Sequence, residues 1–191
     1  SDDSFDLDGD GISNVNEAAL GTDPEDADTD GDGISDSNEI NGADGDPATT
    51  VDNTDPLDAD SDDDGLSDGA ELDGVDENIS TPTDATNPNA ADSDKDGVQD
   101  GTELGITTPV VAGLSGGSSP VNFTGTDMAV FVADTDDGTT TDPLNPDTDG
   151  GGACDGSQSV AGVCNAGEDL NDNGAVDTNE TDPVSGNGGD D

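Results

Sequence analysis

The stretch DTDGDGISDSNE, Asp28–Glu39, decides how this chain must be read. Aspartate fills its first, third, fifth and ninth places, glycine the sixth and glutamate the twelfth. Like charges this close repel, so the pattern calls for a compensating cation. The same order returns in DLDGDGISNVNE (Asp6–Glu17), DSDDDGLSDGAE (Asp60–Glu71), DSDKDGVQDGTE (Asp92–Glu103) and DLNDNGAVDTNE (Asp169–Glu180), with Asn allowed at the third, fifth and ninth places. A further copy, DTDGGGACDGSQ (Asp147–Gln158), is degenerate, because Gly151 replaces the fifth residue and Gln158 the last. A run at Asp134–Gly138, DTDDG, reads as a shortened relative. The chain holds only eight glutamates, yet five stand at the twelfth place with glycine always at the sixth, which unpatterned acidity would not produce.

Oxygen ligands at alternate places of a tight turn are what a hard cation requires, since calcium takes six to eight oxygens. In the opening stretch these are Asp28, Asp30 and Asp32, with Gly33 allowing the sharp reversal that a Cβ would resist. Ile34 offers its carbonyl, Asp36 binds directly or through water, and Glu39 closes the shell with both oxygens. The same roles fall on Asp6, Asp8, Asp10, Ile12, Asn14 and Glu17, and on Asp60, Asp62, Asp64, Leu66, Asp68 and Glu71. They fall equally on Asp92, Asp94, Asp96, Val98, Asp100 and Glu103, and on Asp169, Asn171, Asn173, Ala175, Asp177 and Glu180. The degenerate copy retains Asp147, Asp149 and Asp155. Calcium is preferred to magnesium, which keeps its waters in a strict octahedron and has less use for a bidentate glutamate.

Composition points the same way. Fifty acidic residues face a single lysine, giving a formal charge of -49, and hydrophobic residues make up 26% of the 191 positions, too few for a large apolar core. Forty-two of the acids are Asp, which holds turns and disfavours helix interiors, rather than the helix-forming Glu. Such a polyanion excludes nucleic acid and anionic membranes as direct partners. The absence of histidine argues against soft transition-metal sites, and no apolar run is long enough to span a bilayer. The residue after each invariant glycine is the exception to the polar rule, and each can stitch one unit to its neighbour for about 1.5–3 kcal/mol if fully buried. Metal binding must therefore carry most of the folding free energy.

Between the loops lies a second element: GTDPEDAD, NTDPLDAD, TNPNAAD and TTDPLNPD. Its Asp or Asn stands five residues before the next loop, at Asp23, Asp55, Asn87 and Asp142. These residues are expected to supply a second ion in each unit or to close the next shell. Asn41, Asp44 and Asp52 align with Asp73, Asp76 and Asp84 in the following unit and belong to the same expectation. Helices flanking the loops must be short, because Gly and Pro cut off any helix leaving Glu17 or Glu39 within about one turn. Paired long helices of a calcium sensor are therefore not expected.

The runs TDPEDADTDGDGISDSNE (Thr22–Glu39), TDPLDADSDDDGLSDGAE (Thr54–Glu71) and TDPLNPDTDGGGACDG resemble the thrombospondin type 3 repeat in its bacterial form. The resemblance covers residues 6–103 and 139–183. It implies a mostly irregular, elongated, calcium-filled extracellular structure whose aspartates wrap the ions, serving as stalk, spacer or matrix component. Residues 104–133 have no counterpart in that family.

Three segments follow: calcium-binding repeats over 1–103, an apolar β-rich insertion over 104–137, and further repeats with the degenerate loop over 138–191. In the insertion, PVVAG and DMAVFVAD read as short strands of a hairpin. The hairpin either packs on its own repeats or docks to another subunit or a cell-surface partner. Cys154 and Cys164, without a competing thiol, are expected to form a disulfide that staples the degenerate loop. The opening SDDSFD fits a processed secreted product, although a trimmed chain would read alike. Without histidine, an activated nucleophile or the apolar mass for a pocket, an enzyme is not expected. The sequence thus predicts an extracellular calcium-stabilised rod that self-associates into filaments or matrix. The alternative is a spacer or stalk of a larger secreted adhesin.

Overall fold

The computed structural model describes residues 4–42, 53–73, 85–136 and 138–184. Asp44, Asp52, Asp76 and Asp84 of the linker alignment lie outside the described residues. Most of the described chain is turn, bend and extended segment, with four short helices and one small hairpin.

Each helix begins at the ninth place of a loop: α1 (Asn14–Leu20), α2 (Asp36–Asn41), α3 (Asp68–Asp73) and α4 (Asp100–Glu103). The eighth residue is extended before α1, α2 and α4, at Ser13, Ser35 and Gln99, and none of these caps its helix with a side chain. The N-termini of α2, α3 and α4 are instead capped by the preceding loop. The tenth-place N–H of α2, on Ser37, donates to Asp10 at 3.1 Å, and that of α3, on Gly69, donates to Asp32 at 2.9 Å. In α4 the Gly101 N–H donates to Asp64 at 2.9 Å. A helix N–H with no partner inside its own helix and a carboxylate thereby satisfy each other, with the helix dipole assisting. The longest helix has seven residues and stops at Gly21, whose left-handed φ of 100° lets its N–H close on the Glu17 carbonyl.

Two compact units are present. The first comprises Ser1–Asp62, Ser67–Asn89 and Val110–Thr126; the second comprises Asp63–Leu66, Ala90–Pro109 and Asp127–Asp191. In the first, β1 (Gly113–Leu114) pairs antiparallel with β2 (Asn122–Phe123), Gly113 opposite Phe123. The hairpin is held to the repeats. Thr124 N–H donates to the Leu57 carbonyl at 2.7 Å, Ser118 N–H to Glu25 at 2.8 Å, and the Ser115 hydroxyl to Asp23.

These strands correct the expected ones. PVVAG contributes only its last residue to β1, and DMAVFVAD forms no strand. The Asp127 carbonyl collects the N–H groups of Val130 and Phe131 at 2.9 and 3.1 Å, and its side chain takes that of Ala129 at 2.9 Å. Three local bonds from one aspartate turn the chain, whereas a strand there would need a neighbour. In the second unit the turn delivers Phe131, which is buried; a Cβ on Gly65 would run into its ring. Val132 N–H then donates to Gln99 Oε1 at 2.7 Å, and the Val132 carbonyl accepts the Thr102 hydroxyl at 2.5 Å.

The apolar interior is limited to Ile12, Ile34, Ala59, Val98, Phe131 and the two cysteines among the described residues. Ile12, Ile34 and Val98 follow the invariant glycine, whereas Leu66 and Ala175 at the same place are only half-buried. The largest fully buried side chains are glutamates: Glu17, Glu39, Glu71, Glu103 and Glu168. Among the described residues no helix is long and apolar enough to cross a membrane.

Candidate metal centres

Each loop turns through two left-handed residues, at its fourth and sixth places. The sixth is always glycine, with φ from 73° at Gly174 to 116° at Gly97. The fourth includes Asp63, Lys95 and Asp172, with φ of 66°, 72° and 54°, a conformation that aspartate tolerates better than most residues. The turn gathers the first, third and fifth side chains. The ligand atoms of Asp6, Asp8 and Asp10 lie within 4.8 Å of one another, as do those of Asp28, Asp30 and Asp32. One oxygen of each aspartate is braced from its own loop: Asp28 accepts from Gly31 N–H at 2.8 Å, Asp30 from Asp32 at 3.2 Å, and Asp32 from Ile34 at 2.7 Å. The corresponding bonds in the fourth loop fall on Asp92 (2.6 Å), Asp94 (3.2 Å) and Asp96 (2.9 Å). The other Asp8, Asp30 and Asp94 oxygens are buried without a hydrogen-bond partner.

The ninth residue has a different place from the expected one. Asp36 turns back on its own loop, accepting Thr29 N–H at 2.8 Å and the Thr29 hydroxyl at 2.7 Å. Asp68 takes the same pair from Ser61 at 2.7 and 2.6 Å, and Asp100 from Ser93 at 2.8 and 2.7 Å. Asp155 accepts Thr148 N–H at 3.0 Å. So braced, the ninth carboxylate faces the preceding loop: Asp32, Glu39 and Asp68 form a second kind of cluster, with ligand atoms within 4.8 Å of one another. The hydroxyl residues at the second place were not singled out by sequence, although their alternation with the aspartates is visible there.

The twelfth residue closes the site from inside. Glu17 and Glu39 are 0% exposed and Glu103 is 1% exposed. Both oxygens of Glu17, Oε2 of Glu39 and Oε2 of Glu103 have no hydrogen-bond partner. The opposite oxygen of Glu39 accepts the Thr54 hydroxyl at 3.1 Å, and that of Glu103 accepts Thr141 at 2.8 Å. Glu71 accepts Thr86 at 3.0 Å. Thr54, Thr86 and Thr141 of the linkers thus each orient a closing glutamate, a role that sequence reading missed.

The linker acids themselves close turns. Asp23, Asp55, Asn87 and Asp142 each accept the N–H two residues on, at 3.1, 3.1, 3.3 and 3.1 Å. Asp55 and Asp142 are exposed. The sixth loop also departs from the pattern. Glu180 accepts two backbone N–H groups, from Leu170 at 3.1 Å and Asp177 at 2.6 Å, while the Asn171 and Asn173 amides both donate to Asp177.

The electrostatics follow from burying acids together. Burial first, and neighbouring carboxylates second, push Glu39 up to about 10 and Glu103 to about 11. Asp30 and Asp94 rise to about 8, Glu17 to about 7, and Asp68 to about 7, for the same leading reason. Asp32, Asp100 and Asp155 reach about 6, with backbone donors offsetting part of the burial. Burial thus favours the protonated form of every one of these groups, and a positive charge beside them would favour the carboxylate instead. The described residues therefore include several acidic clusters able to coordinate a metal ion.

The expected disulfide is present. Cys154 and Cys164 are joined with a Cα separation of 5.1 Å, and both are buried. The chain matches no family model, no curated protein and no solved structure.

Proposed function

We propose that the chain is a structural extracellular calcium-binding protein, a calcium-stabilised rod that assembles into filaments or matrix. The observation that carries the reading is the interior of paired, buried glutamates and aspartates whose shielded oxygens lack hydrogen-bond partners. Unpaired buried carboxylates are costly, by several kcal/mol per ion. A hard divalent cation removes that cost in one step, and oxygen-only donor sets with a glutamate suit calcium. Two ions per step fit the two kinds of cluster, one within a loop and one joining it to the next. Extracellular sites need only bind at about 0.1–1 mM to be filled. The carboxylates are structural in this reading and not catalytic. Repetition of the same loop-to-loop bond supports growth along one direction, and a further copy of the chain is the natural next member. The test is calcium titration of the purified chain followed by electron microscopy before and after EDTA. Calcium-dependent filaments support assembly; monomers at high concentration point to the stalk of a larger secreted adhesin; absence of calcium binding overturns the reading.

A further inference from the structure

The fifth loop, Asp147–Gln158, has a glutamine where the others have their closing glutamate. In the first four loops the N–H of that glutamate donates to the carbonyl of the eighth residue: Glu17 to Ser13 at 3.0 Å, Glu39 to Ser35 at 3.0 Å, Glu71 to Ser67 at 3.1 Å and Glu103 to Gln99 at 3.0 Å. In the fifth loop the eighth residue is Cys154, and the N–H reaching its carbonyl belongs to Glu168, at 3.1 Å. Gln158 is exposed, and its N–H donates elsewhere, to the Asp96 carbonyl at 2.5 Å.

The chain between them makes an excursion and re-enters in register. Cys154 N–H donates to the Asn165 carbonyl at 2.6 Å, Asn165 N–H to Gly152 at 2.9 Å, and Gly167 N–H to Gly156 at 3.2 Å. The Cys154–Cys164 disulfide closes the same excursion. Glu168 arrives fully buried, and its carboxylate accepts the Thr181 hydroxyl at 3.4 Å, as Glu103 accepts Thr141 and Glu39 accepts Thr54. Asp147 Oδ1 and Asp149 Oδ2 are shielded oxygens without a hydrogen-bond partner. Glu103, 1% exposed and with Oε2 equally unpartnered, faces a small cavity that Asp155, Asp169 and Thr181 also line.

We propose that Glu168 is the closing ligand of the fifth loop, completing with Asp147 and Asp149 a calcium site that Gln158 does not reach. The ten-residue displacement from the twelfth place is absorbed by the disulfide-closed excursion, so the fifth site is complete at its closing position despite its sequence. This inference rests on the calcium reading above.

The experiment is calcium titration by calorimetry on the full chain, comparing wild type with E168Q, Q158E and E103Q. E168Q is expected to weaken one site at least tenfold and leave the rest unchanged, whereas Q158E binds as wild type. E103Q weakens a different site and reports on the general reading. Loss of affinity in E103Q with E168Q unchanged overturns the proposal alone, as does tighter binding in Q158E. No calcium binding by wild type overturns the general reading instead. Should E168Q lose all sites together, E168D decides: selective weakening of one site supports the proposal, and unaltered affinity refutes it.

Discussion

Gly69→Ala separates local preference from tertiary constraint, because the two predict opposite signs. Gly69 sits in the first turn of α3, where alanine favours the helix by about 1 kcal/mol. A Cβ there, however, lies deep inside van der Waals contact of the Asp32 carbonyl oxygen, 3.1 Å from the Asp32 carbonyl carbon and 3.5 Å from Gly33 Cα. The obstacle is backbone of the preceding loop, held by its own aspartates, so it cannot rotate away. Relief must come by parting α3 from that loop, which strains packing by about 1–3 kcal/mol. It also lengthens the 2.9 Å bond from Gly69 N–H to the Asp32 carboxylate, a bond to a charged group worth about 1.5–3 kcal/mol. The net expectation is destabilisation by about 1.5–5 kcal/mol, combining these with the alanine preference. Urea unfolding at saturating calcium, followed by circular dichroism, measures it. Val15 occupies the same place in the first loop and is 55% exposed, so Val15→Ala is the control and should change stability little. A Gly69→Ala protein as stable as wild type, or more so, would refute the packing argument.

Further outcomes follow from the same geometry. Glu39→Gln should weaken calcium binding at least tenfold at one or two sites, measured by calorimetry, because Glu39 belongs to the Asp32–Glu39–Asp68 cluster; unchanged binding would count against that cluster. The pH response should invert with metal. In the metal-free chain Glu39 and Glu103 titrate at about 10 and 11 when folded, above their ordinary value of 4.5, so their stabilising contribution is complete below about pH 4 and is lost as pH rises toward 10–11. The EDTA-treated chain should therefore have a smaller hydrodynamic radius at pH 4 than at pH 8, while calcium affinity rises with pH because binding displaces protons; an apo chain more compact at pH 8 contradicts this. Replacing Thr141 by valine should cost about 1 kcal/mol in calcium-saturated unfolding through loss of its 2.8 Å bond to Glu103. Joint replacement of Cys154 and Cys164 by serine should cost about 2–3 kcal/mol by freeing a short loop, and an unchanged unfolding midpoint would deny the disulfide that role.

Much of the local structure was legible because it is specified within a dozen residues. The glycine at the sixth place predicts its own left-handed turn, and alternate aspartates predict which side chains that turn collects. Short helices were expected to follow the loops and instead begin inside them, at the ninth place, while the cysteine pairing follows from the want of any other thiol. The hairpin was placed too far outward in both directions. Apolar alternation in DMAVFVAD suggested a strand, whereas the side chain and carbonyl of Asp127 made a turn.

What the sequence by itself determined is the repeating turn, its acidic contents and the poverty of apolar core. Only the tertiary structure decided how the turns share their carboxylates. Whether Asp36 and Asp68 serve their own loop or the one before depends on where the previous helix and loop sit, and no spacing encodes that. The same holds for Glu168, which takes the closing position of the fifth loop because a disulfide-bound excursion returns the chain there. Ligand identity at one turn is a matter of chain geometry over a few residues. Ligand sharing between turns is a matter of packing, which couples residues from Asp96 to Gly156 across sixty positions through one hydrogen bond of 2.7 Å.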